Sequence, residues 1–481
     1  MNYPGDQFDA ITAAAVSPDQ YQNPKPQGRY HLVVIGAGPA GLITAISAAG
    51  LGAKVALVER HRMGGDCLNV GCIPSKALLE YTSTFPGGDF SDAFSWLREV
   101  RAGIAPHDSV DRYRDAGVDV FMGEASFNTT GNLCVGNAVL HARRTVICTG
   151  ARADVPAIPG LREAHPLTNE TVFDLTQAPA SLAILGAGAI GCELALVFAR
   201  LGVQVHLFEL ADRVLPLEDG DASQAVQLAL AAAGVKLHLG SGVERVRVVA
   251  AGFEVSAGVA VHTAEKILVS MGRRANTESL NLGAVGVGLT PRGLIVTDAK
   301  LRTTNKTIYA AGDCTSVQQF THHADAQARA VVQNALFAPT ARVDRLIVPH
   351  CTYTKPEVAS VGDNAAELKR KGLVYDVHEF DFAELDRGRA AIDGAGFARV
   401  YLQKGTDKIL GATLVGHDAG EQIAPLCLLM SQGVGLSAAG KTLFSYPTRS
   451  EYLKRLADAY TRTRFTPTVA GIFKRWLRLI G

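Results

Sequence analysis

One local pattern occurs twice in this chain, and the repetition constrains the fold more than any other feature. The apolar run His31 to Ile35 leads into Gly36-Ala37-Gly38-Pro39-Ala40-Gly41, a helical stretch with Ala45, and a second run from Lys54 that ends at Glu59. Leu182 to Leu185 leads likewise into Gly186-Ala187-Gly188-Ala189-Ile190-Gly191, a helical stretch with Ala195, and a run from Gln204 that ends at Glu209. The interval from first glycine to acid is 23 residues in both. A strand, a glycine turn, a helix and a strand ending in an acid make the unit that binds a dinucleotide. The glycines let a pyrophosphate approach the helix N-terminus, and the carboxylate accepts hydrogen bonds from the adenosine ribose. One glycine loop is a weak signal; two in matching context predict an α/β protein with two Rossmann-like dinucleotide-binding domains.

Just beyond the first unit, Gly64-Gly65-Asp66-Cys67-Leu68-Asn69-Val70-Gly71-Cys72-Ile73-Pro74-Ser75-Lys76 places two cysteines five residues apart at the entry to a helix. On an ideal helix such a pair lies roughly 9 Å apart between Cα atoms, whereas a disulfide tolerates about 4.4 to 6.8 Å. A bridge between them requires a distorted segment, and Gly71, directly before Cys72, permits the distortion.

Cys-Leu-Asn-Val-Gly-Cys-Ile-Pro-Ser-Lys closely resembles the signature of the flavin-dependent pyridine nucleotide-disulfide oxidoreductases, among them dihydrolipoamide dehydrogenase, glutathione reductase and mercuric reductase. The resemblance implies a redox-active Cys67–Cys72 disulfide beside a flavin, with Cys67 the outer thiol that meets the acceptor and Cys72 the inner thiol. It also implies that Lys76 approaches the flavin and is held by Glu193, on the helix of the second glycine unit. Thr307 to Asp313 resembles the family's second flavin fingerprint. The cofactors expected are FAD and NADH, the latter in preference to NADPH because Glu209 would repel a 2′-phosphate; Arg213, four residues on, is read as a salt-bridged surface arginine, with contact to such a phosphate as the alternative. Gly36, Gly38, Pro39, Ala40, Gly41, Glu59, Arg60, Gly65, Asp66, Lys76, Thr149, Gly150, Gly312 and Asp313 are assigned to FAD. Gly186, Gly188, Ile190, Gly191, Glu209 and Gly272 go to the nicotinamide donor.

The expected organisation is a polar, loose extension over 1–29, an FAD-binding domain split into 30–160 and 290–345, and a NAD(P)-binding domain over 161–289. A C-terminal α+β dimerisation domain follows over 346–465. It resembles the family domain through Tyr353 to Gly362 and Gly411 to Gly416, and implies a homodimer. The 481 residues and 47% hydrophobic content suit several cores. A net charge of +1 argues against nucleic acid as a partner. The thiol chemistry favours a reducing cytoplasm. In the tail, 466–481, Val469, Ile472, Phe473, Trp476, Leu477 and Ile480 share a helical face, with Lys474, Arg475 and Arg478 elsewhere. Such a segment either packs on the enzyme's own dimer or makes a peripheral contact with an anionic inner membrane face.

The departure from the family lies in Tyr446-Pro447-Thr448-Arg449-Ser450-Glu451. Dihydrolipoamide dehydrogenases and glutathione reductases place a histidine where Tyr446 stands, as acid-base for the outer thiol, with a glutamate at the position of Glu451. Tyrosine titrates near pH 10 and histidine near 6.5, so Tyr446 is a poor proton shuttle. Mercuric reductases resemble the chain better here, through Tyr446, Thr448, Glu451, Leu453 and Lys454. They end in a vicinal cysteine pair, however, and no cysteine follows Cys427. The expected activity is therefore NAD(P)H-dependent reduction of a thiol-reactive acceptor, a soft metal ion or a disulfide. Dihydrolipoamide dehydrogenase activity on an unusual lipoyl or disulfide substrate, and a flavin redox sensor without turnover, are the alternatives. Cys134, Cys148, Cys192, Cys314, Cys351 and Cys427 read as packed thiols, and His322 and His323 as packing against cofactor. No metal site is expected from the spacing.

Overall fold

Arg29–Ile35 is a strand whose apolar run from Leu32 to Ile35 is buried on both faces, while Arg29 and His31 at its start are exposed. In the computed structural model, which describes residues 5–250 and 252–481, it is central to a parallel array. Val118–Met122, Val55–Glu59, Arg29–Ile35, Ala138–Ile147 and Ile308–Ala310 lie side by side in that order, and an antiparallel flap, Ala125–Phe127 and Leu133–Val135, extends from Ala138–Ile147. The last parallel strand returns from some 160 residues downstream. Tertiary structure thus closes the first dinucleotide unit with a segment from after the second.

The second unit repeats the order on a smaller scale: Lys236–Leu239, Gln204–Glu209, Ser181–Leu185 and Lys266–Val269, all parallel. An antiparallel sheet of Val243–Val249, Gly252–Ala257 and Ala260–Ala264 contributes Val246, Val255, Ala257 and Ala264 to a core shared with Ala183, Leu185 and Phe208. In both units the glycine turn sits at the carboxyl end of the first strand, where ligands of such sheets bind.

The chain divides into two compact units. One comprises the residues up to Leu210 with Ala233–Arg345; the other comprises Ala211–Ala232 with Leu346–Gly481. The second unit is built on an antiparallel sheet ordered His350–Thr352, Glu357–Gly362, Ile409–Gly416, Phe397–Gln403 and Tyr375–Asp381. Residues 211–232, expected within the nucleotide domain at 161–289, belong here instead. The physical reason is a pair of buried carboxylates: Glu218 accepts from His350 and Ser360 at 2.7 Å each, and Asp219 from Tyr401 at 2.6 Å and Thr413 at 2.8 Å.

The expectation of a loose extension over 1–29 also needs correction; Met1–Pro4 lie outside the described residues. Gln7–Val16 is a helix whose Asp6 cap accepts from the Asp9 N–H, and Asp9, Thr12 and Val16 are buried. Arg101, fully buried, donates to Asp9 at 2.8 Å. Leaving one member of a buried pair unpartnered costs about 3 to 5 kcal/mol, enough to hold the helix in place. Pro and Gln after position 17 hid that helix from a reading by composition. At the other end, Thr466 caps the helix Pro467–Ile480, none of whose residues is buried in the protomer.

Candidate active site

The helix Gly65–Val70 stops at Gly71 and a second helix, Cys72–Thr84, starts immediately after it. A Cβ on Gly71 would lie 2.8 Å from the Asp66 carbonyl oxygen, so only glycine permits this break. The interruption brings the Cys67 and Cys72 thiols into hydrogen-bond contact, as a continuous helix would not. The shared hydrogen bond first, then the Thr321 hydroxyl and the Lys76 ammonium, lower Cys72 to about 6 against the opposing effect of burial. Cys67 is pushed up by the same bond and by burial. Exposure runs against the expected order of outer and inner thiol, since Cys72 is exposed and Cys67 half-buried; the surrounding charges and hydrogen bonds favour the thiolate at Cys72.

Thr321, whose hydroxyl lies 3.6 Å from Cys72 Sγ, was not visible as a site residue in the sequence. It begins the helix Thr321–Leu336, after the second flavin-like fingerprint. Lys76 donates to Glu193 at 2.8 Å, joining the helix Cys72–Thr84 to Ala189–Arg200 across a carboxylate that is 4% exposed.

The two acids fasten the glycine turns. Glu59 accepts from the Ala37 N–H at 2.7 Å and the His61 N–H at 2.8 Å, and Glu209 accepts from the Ala187 N–H at 2.8 Å. Each carboxylate oxygen has a second lone pair, so ribose recognition is compatible with this bracing role. Burial pushes the Glu59 carboxyl up. Glu59 and Arg60 line a cleft with Gly36, Thr149 and Asn276. Arg213 is half-buried and donates to the carbonyls of Pro216 and Glu218 at 3.0 and 3.4 Å, backbone partners in place of the carboxylate of a surface ion pair.

Around the first turn the structure gathers distant segments. Gly65 has φ +58°, and a Cβ there would lie 2.5 Å from Gly38 Cα, so the cysteine-bearing segment rests on the glycine turn itself. Arg273, overlooked although it follows the assigned Gly272, pairs with Asp66, donates to the Ala151 carbonyl at 2.8 Å and stands 3.8 Å from Asp313. Burial raises the Asp313 carboxyl despite that arginine. Thr149 and Asn276 exchange bonds of 2.7 and 3.0 Å, and the Gly150 carbonyl accepts from the Asn276 N–H at 3.0 Å. Gln327 accepts from the Gly312 N–H at 2.7 Å and contacts His323, while His322 stacks on Phe320. The glycine turn, the helix opening at Pro39 and the polar groups near Asp313 fit a bound dinucleotide; no Cβ obstructs the close approach its pyrophosphate needs.

In the C-terminal unit, Tyr446 is 70% exposed and donates to Asp386 at 2.8 Å, which raises its pKa further. Glu451 accepts from Arg455, one helical turn on, at 2.6 Å. The residues at the positions of the family's histidine and glutamate are thus engaged with other partners. Of the packed thiols, Cys148, Cys192 and Cys314 are buried, and Cys134, Cys351 and Cys427 half-buried.

Known proteins agree with this geometry. The sequence model of the pyridine nucleotide-disulphide oxidoreductases matches residues 30–328, and that of their dimerisation domain residues 348–457. A mercuric reductase of Staphylococcus aureus is 32% identical over 90% of this chain and 83% of its own length. Dihydrolipoyl dehydrogenase 3 of Pseudomonas aeruginosa is 32% identical over 89% and 97%. The Cu(II) complex of the HOCl-induced flavoprotein disulfide reductase RclA from Escherichia coli superposes with a TM-score of 0.83 at 31% identity, covering 88% of this chain and 99% of that one.

Proposed function

Since the chain belongs to the pyridine nucleotide-disulphide oxidoreductase family, we propose that it oxidises NADH and passes two electrons through Cys67 and Cys72 to a soft metal ion. The family is FAD-dependent and binds a pyridine nucleotide, and the matched dimerisation domain indicates a homodimer. Bound FAD supplies the hydride acceptor that couples the nicotinamide to the thiol pair. Lys76, oriented by Glu193, would supply a cation beside the flavin, where reduction accumulates negative charge. The shared hydrogen bond and the Lys76 ammonium favour the thiolate at Cys72, and burial favours the proton at Cys67.

The observation that carries the choice of acceptor is Tyr446. Reducing a disulfide takes two electrons and two protons, and so needs an acid at the leaving thiol. Reducing a divalent soft metal bound by the two thiolates takes two electrons as the thiols close to the disulfide, and the proton that Cys67 gives up on binding leaves to solvent, so no acid is needed. An exposed tyrosine with a raised pKa is a poor acid for the first reaction and no obstacle to the second. The relatives named mercuric reductase and dihydrolipoyl dehydrogenase are equally similar, so they do not separate these acceptors.

The test is an anaerobic acceptor screen on NADH-reduced holoenzyme. Hg(II) presented as a thiol complex is expected to sustain turnover, with lipoamide and glutathione disulfide slow. Tyr446→His is expected to raise disulfide reduction by up to roughly 10² to 10⁴. Efficient lipoamide turnover by the wild type overturns the metal reading in favour of an unusual lipoyl substrate, and a single reduction of the flavin by NADH that no acceptor in the screen carries into turnover points to a redox sensor in the reducing cytoplasm.

For the tail, the reading is docking onto the dimer: Ile472, Phe473, Trp476 and Leu477 are more than half exposed in the protomer and need cover. No helix among the described residues is long and apolar enough to cross a membrane. The full chain and a chain ending at Pro467 are expected to co-sediment equally poorly with anionic vesicles. Vesicle binding by the full chain alone transfers this face to a membrane surface.

A further inference from the structure

Three histidines that no sequence spacing connects converge beside the second glycine unit. His206 and Phe208 alternate along Gln204–Glu209 and so share a face; His238, on Lys236–Leu239, registers opposite Phe208; His262 comes from Ala260–Ala264 of the antiparallel sheet. One ring nitrogen from each lies within 4.8 Å of the other two. His206 Nδ1 and His238 Nε2 are 3.1 Å apart, and the His238 and His262 ring centroids 4.1 Å. Phe208 closes one side, its ring 4.5 Å from His238 and 5.5 Å from His262. His206 is buried and the other two half-buried, so the cluster is both held and reachable.

Imidazole nitrogens bind Zn(II) at about 2.0 to 2.1 Å. Two nitrogens 3.1 Å apart, each about 2.05 Å from one ion, subtend about 98° at it, between the tetragonal and tetrahedral angles. Reorienting His262, the ring on the outer sheet, completes a third ligand and leaves further positions to water. The donor set is all nitrogen. It lacks the oxygen ligands that suit Mg(II) or Ca(II) and the thiolates that select soft ions such as those assigned to Cys67 and Cys72. The nearby cation, Lys236, is exposed and therefore screened.

We propose that His206, His238 and His262 form a second metal site, taking one late first-row divalent ion of the Cu(II) and Zn(II) type through three neutral imidazoles. The site joins the parallel sheet to the antiparallel one, away from the thiols in sequence and in ligand chemistry. Its occupancy stabilises the folded state by mass action. The sequence led to the expectation of no metal site because its ligands stand on three strands, whose register is a tertiary fact.

The test uses tag-free, FAD-loaded full chain carrying Cys67→Ser and Cys72→Ser, so that thiols do not compete. Equilibrium dialysis is expected to find one Zn(II) per chain, and Cu(II) added at one equivalent to give an EPR spectrum with imidazole nitrogen splitting. His262→Ala and His238→Ala are each expected to weaken Zn(II) binding at least tenfold and to abolish the Zn(II)-dependent rise in Tm. His141→Ala, on an exposed strand position elsewhere, should change neither. If His238→Ala fails to fold, His262→Gln, on the outer sheet, serves in its place. Absence of saturable binding, or binding that survives substitution of His262, overturns the proposal and leaves a hydrogen-bonded imidazole stack. Neither result touches the acceptor reading, which depends on the thiols.

Discussion

The two glycine units share a backbone plan and differ in what surrounds it. In both, the third glycine packs against the first: a Cβ on Gly41 would lie 1.7 Å from the Gly36 carbonyl oxygen, and one on Gly191 2.0 Å from that of Gly186. In both, the acid braces the alanine N–H between the glycines. The surroundings then diverge. Gly38 faces Gly65 of the cysteine segment, and Ala40 is buried against Gly312. Gly188 has nothing within 4 Å of a Cβ position, and Ile190, the counterpart of Ala40, is 40% exposed. A turn walled in by two distant segments of the chain suits a resident cofactor. An open turn suits a donor that must enter and leave each cycle. The same local chemistry thus serves retention in one place and exchange in the other.

The largest expected effect tests whether the thiols belong to the walled unit. Cys72→Ser is expected to reduce acceptor turnover to background and to remove the long-wavelength absorption that a thiolate produces beside a flavin. NADH-driven bleaching of the bound flavin should persist. Cys67→Ser is expected to show the band without added reductant. In wild-type enzyme reduced by two electrons the band should be present above pH 6 and fade below it, because the Cys72 thiol is lowered to about 6 and protonation removes the thiolate. Two variants that behave as wild type would break the assignment.

Next comes retention itself. Gly65→Ala puts a Cβ against Gly38 at a left-handed backbone, a strain of about 1 to 3 kcal/mol, and is expected to weaken FAD retention roughly tenfold or more, read as flavin content after gel filtration. Gly188→Ala is expected to keep its flavin and to raise KM for NADH alone. Flavin loss from both variants, or neither, would erase the contrast between walled and open turns.

The smallest effect concerns specificity at the open turn. NADH is expected to have the higher kcat/KM, and Glu209→Ala to lose about 1.5 to 3 kcal/mol of that preference, the range for a hydrogen bond to a charged group. A wild type that favours NADPH would show that Glu209 only braces its turn.

The paired dinucleotide units, the cysteine segment and the break at Gly71 were legible in the sequence because each is encoded within a few residues. Glycine placement, apolar runs and the spacing of acid from turn act through local backbone sterics and hydrogen bonds. Lys76 and Glu193 were also found, through resemblance, and they meet at 2.8 Å. What tertiary structure alone decided depends on contacts between distant segments. Arg273 stands between Asp66 and Asp313, Thr321 reaches Cys72, Asp9 captures Arg101, and Glu218 and Asp219 draw residues 211–232 into the C-terminal unit. Each of these places a charge or thiol by finding it a partner many residues away. Such pairings follow from strand register and helix packing, and they settle which polar groups can be buried because an unpartnered one costs too much.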